Sequence, residues 1–327
     1  MDDSDEIQSD AFEAMLASLR AGCVNPDHGL FGPDSWTWRV GRELVNFMGA
    51  GRAALLQMAH PWVATAIAQH SNAANDIAGR FRRTFLSLYG MMFGSLDMCL
   101  DAARRVHRIH GGIRGRLDIG AGSWKAGAPY AANVEEALMW VHATLIDTSF
   151  VVYDRCVMER SWEERCAHYQ ESRRFGRLFG LTDRVMPTDY AGFVRYWEVM
   201  LSSGALAVTP AAMAMAPQLL APSGGLMAPM WEVHRAITCA LLPTAVREGY
   251  GLPLGRLEWA VAGAAMGGMR RVVHTLPPRL RYVSAWHDAQ RRIAGKPGQD
   301  RVAGVVWTRL IGTLLGGQAL GRAAERG

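Results

Sequence analysis

Several things are missing from these 327 residues, and each absence narrows the reading. There is no CxxC. The five cysteines (Cys23, Cys99, Cys156, Cys166, Cys239) are odd in number and far apart, so neither a disulfide framework nor a thiolate zinc site is expected. They favour a reduced, cytosolic protein. The first twenty residues lack a basic start followed by an apolar run. Asp2, Asp3, Asp5, Glu6, Asp10 and Glu13 crowd that stretch and Arg20 is its first base, so no secretory leader is expected. Uninterrupted apolar runs of membrane-spanning length are lacking too. The most apolar region, residues 205–230, is cut by Pro210, Pro217, Pro222 and Pro229, and residues 302–315 are short and hold Arg309.

Motifs that announce common chemistries are also absent. Without GxSxG there is no nucleophile elbow. Without GxGxxG or GxxxxGK[ST] there is no motif for cradling nucleotide phosphates, and without HExxH no helical zinc protease. A di-iron carboxylate bundle needs repeated Glu-x-x-His, yet no glutamate occurs between Glu43 and Glu135. No repeat of fixed period is visible. The net charge is +5, and beyond residue 13 there are 24 acids against 35 bases. The excess is mostly arginine scattered among apolar residues. No basic run interleaved with aromatics occurs, so a nucleic-acid partner is not expected.

What is present is a chain half apolar and one fifth charged, the composition of a globular protein. Helical signals recur along it. Ser35 is placed to cap a helix from Trp36, and Gly49 and Gly51 allow a close approach to a neighbouring element. A helix over 52–59 stops at His60-Pro61, and Pro61 opens another over 62–69. Apolar residues at three-to-four spacing predict a long amphipathic helix over 77–93. Ser95 caps 96–109, Asn133 caps 134–159 and Ser161 caps 162–178. Further helices are expected over 189–201, 230–240, 243–250, 254–274 and 302–320, with a Pro- and Gly-dominated stretch over 210–229. Alternating strand patterns are almost absent. The expectation is an all-α, single-domain helical bundle over residues 26–327, preceded by a flexible acidic tail over 1–25 that holds one short helix near 11–19 and lacks a sizeable apolar face.

Ten histidines are the first candidates for chemistry. His107 and His110 form an HxxH on one helix. A single helical imidazole beside an apolar slot can ligate haem iron, with cations meeting the propionates. His110 supplies the imidazole, Phe81, Phe85, Leu88, Met91 and Met92 a slot, and Arg80, Arg82, Arg83, Arg104, Arg105 and Arg114 the cations. The same residues also read as a capping or core histidine beside a solvated basic face. His142 is either a buried, hydrogen-bonded core residue or a substrate-side group. His60, before Pro61, reads as a hydrogen bonder at a helix junction.

Five ordered strings bear on these readings. They are Gly49-Ala50-Gly51-Arg52-Ala53-Ala54-Leu55-Leu56-Gln57-Met58-Ala59-His60-Pro61; Gly79-Arg80-Phe81-Arg82-Arg83-Thr84 with Phe93-Gly94; Val106-His107-Arg108-Ile109-His110-Gly111-Gly112-Ile113-Arg114-Gly115; Trp140-Val141-His142-Ala143-Thr144-Leu145-Ile146-Asp147; and Leu241-Leu242-Pro243 with Arg247-Glu248-Gly249-Tyr250-Gly251-Leu252. Together, from about Gly32 to about Pro278, they resemble the oxygenase family of the fungal mpaB-type oxygenase and the bacterial latex-clearing protein (rubber oxygenase).

The resemblance implies a globin-like helical core holding haem b, with His110 as the iron ligand. It implies a distal segment in which Arg80, Arg83 and Thr84 act on dioxygen; a lysine of the family pattern is replaced here by Arg83, and a distal glutamate upstream is missing. Phe81, Arg80 and Arg114 are the further residues expected to contact the haem. The implied activity is oxygenation of an apolar small molecule, isoprenoid, polyketide or steroid-like. The alternatives are a non-catalytic haem or apolar-ligand carrier of the same fold and a haem-free scaffold. The sequence leaves the oligomeric state open.

Overall fold

The computed structural model describes residues 6–70, 77–220, 228–296 and 298–314; for 77–82, 306 and 309–314 it describes the backbone alone. Helices dominate. In chain order they are α1 (Ser9–Ala21), α2 (Trp36–Gly41), α3 (Ala50–Met58), α4 (Pro61–His70), α5 (Ile77–Phe93) and α6 (Leu96–Gly111). A two-stranded antiparallel ribbon follows, β1 (Arg114–Arg116) with β2 (Pro129–Ala131). Then come α7 (Glu135–Cys156), α8 (Trp162–Arg177), α9 (Tyr190–Ser202), α10 (Pro210–Leu220), α11 (Ala228–Leu241), α12 (Thr244–Gly249), α13 (Arg256–Val272), α14 (Pro278–Arg281), α15 (Ser284–Ile293) and α16 (Arg301–Leu314). The expected all-α class holds.

Capping chemistry sets many of the boundaries. The Ser35, Ser95, Ser161 and Asp189 side chains accept from the backbone N–H of Trp38, Met98, Glu164 and Gly192, as N-caps do. At Ser161 the Glu164 carboxylate returns a bond to the cap's own N–H, completing a capping box. Asn133 does not cap α7. Its amide donates instead to the His107 carbonyl, tying α6 to the start of α7.

The longest helix among the described residues, α7, is buried along most of its length; Glu136 and Arg155 are exposed. Leu138, Trp140, Ala143, Ile146 and Phe150 join a core cluster with α3, α8, α9 and α10. Val152, Tyr153 and Cys156 join another with α11 and α13. The apolar residues of α7 fall on more than one face, so this helix carries the packing of both sides. Gly49 and Gly51 allow the close approach anticipated for them. A Cβ on Gly49 would stand 2.5 Å from Thr148 Cγ2 of α7, and one on Gly51 would stand 2.5 Å from Thr238 Oγ1 of α11.

Two expectations need correction. The short helix near 11–19 is there as α1, but the acidic tail is docked: Phe12, Leu16 and Leu19 are buried against α6 and α8 in a shared apolar cluster. Their i, i+4, i+7 spacing makes one stripe, which the surrounding acids mask in composition. The proline-cut region 205–230, whose composition reads as buried helix turns and loop, holds α10 with Pro217 inside it. Helices α14 and α15 lie where none was expected; α14 opens on Pro278, a residue suited to a first helical turn.

Candidate active site

Side chains at helical spacing bring polar groups of α7 and α8 to one place. Along α7, His142, Leu145, Ile146 and Ser149 share a face; along α8, so do His168, Ser172 and Phe175. Both sets line one cavity of about 170 Å³, closed by α2, the 3₁₀ segment Leu44–Gly49, α3 and the inner face of α5. Val40, Phe47, Phe85, Leu88 and Met92 make its walls mostly apolar.

Two neutral imidazoles stand in that wall. His142 is buried and its Nδ1 has no hydrogen-bond partner. Burial pushes it down to about 4, against a hydrogen bond to the Ser172 backbone. His168 is held well below the usual range, first by burial and then by the charge of Arg160. Its Nδ1 lies 2.8 Å from Arg160 Nη1. That guanidinium is itself buried, donates to Asp154 Oδ1 at 2.6 Å and to the Phe150 carbonyl at 3.3 Å, and sits 4.1 Å over the Phe150 ring. Asp154 also takes Arg165 at 3.0 Å, so the His168 contact rests on a fixed ionic frame.

The sequence candidates lie elsewhere. His110 occupies the last turn of α6 and is partly buried. Burial, and then neighbouring His107, push it down to about 4, so it too is neutral at pH 7. It is not among the residues lining the cavity. His107 is a packing residue, stacked on Phe12 with ring centres 4.1 Å apart. Arg114 is 62% exposed and pairs with Glu6 at 3.1 Å. Arg83 and Thr84 are exposed on α5, while Phe85, Leu88, Tyr89 and Met92 turn to the cavity. Arg80 and Phe81 belong to the first turns of α5, and their side chains lie outside the described ones.

His60 bonds at its junction through the backbone alone: its N–H donates to the Gln57 carbonyl and its carbonyl accepts from Ala64. Its ring is fully buried beside Trp62 and Trp124, and neither nitrogen has a partner. His168 escaped the sequence reading because it sits in a highly charged stretch, 162–177, that looks solvated. The spacing of His168, Ser172 and Phe175 was the available signal.

The strings singled out in the sequence converge on one scaffold. Buried Arg52 donates from Nε to the Leu241 carbonyl at 2.8 Å, from Nη1 to Thr148 Oγ1 at 2.6 Å and from Nη2 to Asp147 Oδ2 at 2.5 Å. Tyr250 Oη donates to the Leu55 carbonyl at 2.9 Å, and Trp140 Nε1 to the Leu56 carbonyl at 2.8 Å. Three of the five strings therefore meet where α3, α7 and the end of α11 touch. The Arg52→Ala change strands the Asp147 carboxylate and two buried acceptors. It is expected to cost about 3 kcal/mol or more in urea unfolding. An Arg52→Met, Asp147→Leu pair, which removes both charges, should recover most of that loss. If the single change costs under about 1 kcal/mol, the network does not hold these helices.

A family model described as ER-bound oxygenase mpaB/B′/rubber oxygenase, catalytic domain, matches residues 38–281. The chain belongs to that oxygenase family. No curated protein and no solved structure matches it. In this member of the mpaB/rubber oxygenase family the matched span runs from α2 to the end of α14. It therefore takes in nearly the whole cavity wall, both of its imidazoles, and His110. Among the described residues, no helix of this oxygenase-family chain is long and apolar enough to cross a membrane.

Proposed function

We propose that the protein is a haem b-dependent oxygenase that binds an apolar small molecule in the cavity between α2, α3, α5, α7 and α8. The observation that carries this reading is a largely apolar cavity inside the span matched by an oxygenase family. The residues suit the cofactor in one respect that can be read from this chain: His110 is neutral at pH 7, as an axial imidazole ligand must be. Bound haem would supply the redox-active iron that chemistry with dioxygen requires. The chain's own part is to bind and orient the substrate and to exclude water from it, which apolar walls do.

The haem reading is tested by a pyridine haemochrome assay on purified protein. His110→Ala is expected to lose the haem. His107→Ala should keep it, with a stability loss from the missing Phe12 stack. A reversed outcome would move the ligand to His107, and no haem in the parent protein would remove the cofactor from the proposal.

The distal roles of Arg80, Arg83 and Thr84 belong to the same proposal. Arg80→Ala should lower turnover per bound haem by about two orders of magnitude, the scale of losing one preorganised donor. An unchanged ratio removes these three residues from the reaction. The exposure of Arg83 and Thr84 favours a second reading, a haem or apolar-ligand carrier, which consumes no oxygen when its ligand is added.

A further inference from the structure

The far side of α7 carries a second concavity, a cleft of about 470 Å³. Asp147, Val151 and Asp154 fall about half a turn from His142, Ile146 and Ser149, so they face away from the apolar cavity. Gly263, Met266 and Arg270 of α13, at i, i+3 and i+7, make the opposite wall, and Arg165 of α8 and Tyr190 of α9 complete it. Gly263 keeps the cleft open, since a Cβ there would meet nothing within 4 Å.

The charges of this cleft divide into spent and unspent. Asp147 accepts from Nη2 of buried Arg52, and Asp154 accepts from Nε of buried Arg160 at 2.6 Å and Nε of Arg165 at 3.0 Å. Both carboxylates are therefore matched from behind. The lining arginines are not. Among the described residues, the exposed Arg155 guanidinium has no hydrogen bond or ion pair. Arg270 makes one long bond, from Nη1 to the Asp154 carbonyl at 3.3 Å, and Arg165 uses Nε alone. Tyr190 brings a hydroxyl that likewise has no partner among the described residues. The remaining acid of the lining is Glu159, which is exposed. With Arg52 and Arg160 behind it, the cleft thus sets five arginines against three carboxylates, an excess of two positive charges. The charges of Arg155 and Arg270 meet at one place: burial pushes the Cys156 thiol up to about 11, and both guanidiniums act against that rise.

Converging guanidiniums with unspent N–H groups suit the oxygens of a carboxylate or phosphate, which accept such donors in pairs. A hydrocarbon leaves those donors unused, and a cation is repelled by them. We propose that this cleft binds a small organic anion, its carboxylate or phosphate group held by Arg155, Arg165 and Arg270 and its apolar body resting on Val151 and Met266. The site lies across α7 from the substrate cavity, and nothing in it depends on that cavity or on haem.

Three probes that share one ring and differ in charge test this: phenyl phosphate, benzoate and benzylammonium, titrated calorimetrically into the full chain at low salt. At least one anion is expected to bind and benzylammonium is not; the tighter anion assigns the head group. Arg155→Gln and Arg270→Gln should each weaken anion binding about tenfold or more, the scale of losing one charged hydrogen bond. Both side chains are exposed, so neither change should alter the melting temperature. Glu159→Gln, which removes the opposing acid, should strengthen binding. Arg105→Gln, at an exposed arginine of α6 outside the cleft, should leave it unchanged. The proposal is overturned if neither anion binds, if benzylammonium binds as tightly as they do, or if Arg105→Gln weakens binding as much as the two cleft variants. Each of those outcomes leaves the apolar cavity and its reading untouched.

Discussion

Taking the protein from pH 7.5 to pH 5 should cost about 6 kcal/mol of folding stability or more, enough to unfold many domains of ordinary stability. That much comes from three fully buried imidazoles, and His110 and His234, which burial also pushes down to about 4, add to it. Burial pushes His60 and His142 down to about 4, and burial with Arg160 holds His168 well below its ordinary value. In the unfolded chain each returns to its ordinary value near 6.5. Between about pH 6.5 and 4 the unfolded state therefore binds protons that the folded state refuses, so stability falls as pH falls. Each group contributes a slope of about 1.4 kcal/mol per pH unit. Thermal melts at half-unit steps, followed by circular dichroism, read the slope directly. His60→Leu should remove its own share, about 1.4 kcal/mol per pH unit, and near pH 7.5 the same change should be close to neutral because it deletes two unsatisfied buried nitrogens. A melting temperature flat between pH 7 and 5 would mean that the three rings are protonated in the folded state, contrary to their burial.

Phe12→Ala should destabilise the fold by about 3–5 kcal/mol, and Leu16→Ala by about 2–5 kcal/mol. Both side chains are essentially inaccessible, at 1% and 0% exposure, between α6 and α8. Phe12 also stacks on His107. Deleting residues 1–24 should be worse than either, since it uncovers Leu100 and Ala103 of α6 and Leu178 beyond α8. Around that stripe, Glu13 pairs with Arg104 at 2.9 Å and Arg20 with Asp97 at 2.6 Å, both exposed. Exposed pairs contribute about 0–1 kcal/mol, so Glu13→Gln should be nearly silent. Urea unfolding of the four variants separates the two contributions. A truncated chain as stable as the full one would mean that α1 is a surface appendage, and that its apolar stripe covers nothing the fold needs.

The boundaries most legible in the sequence were those with local causes. The helix over 77–93 follows from apolar spacing inside one segment. The starts at Ser35, Ser95, Ser161 and Asp189 follow from a hydroxyl or carboxylate reaching its own helix's N–H groups. What was missed depends on distant partners. Asn133 has the side chain of a cap, yet its Nδ2 donates to the distant His107 carbonyl while its Oδ1, the atom a cap would use, is left without a partner. The stripe of Phe12, Leu16 and Leu19 acquires its meaning only from α6 and α8. Among the site candidates, His142 was visible but ambiguous until its place in the cavity wall was known. His168 was invisible because the arginine bonded to it, eight residues earlier, reads in sequence as one more surface charge. His110 was found through family likeness, and the structure adds its neutrality without bringing it to the cavity.

The Arg52 tie also has a kinetic consequence. Its three bonds span 95, 96 and 189 residues of chain. Contacts of such separation incur the entropy of closing long loops before they return any energy. The guanidinium thus reaches its acceptors late, after α3, α7 and α11 have assembled through other contacts. Bonds formed after the transition state leave refolding rates almost untouched and act on the unfolding rate instead. Arg52 is in that sense a latch, which sets how long a folded molecule lasts and has little influence on how fast it forms.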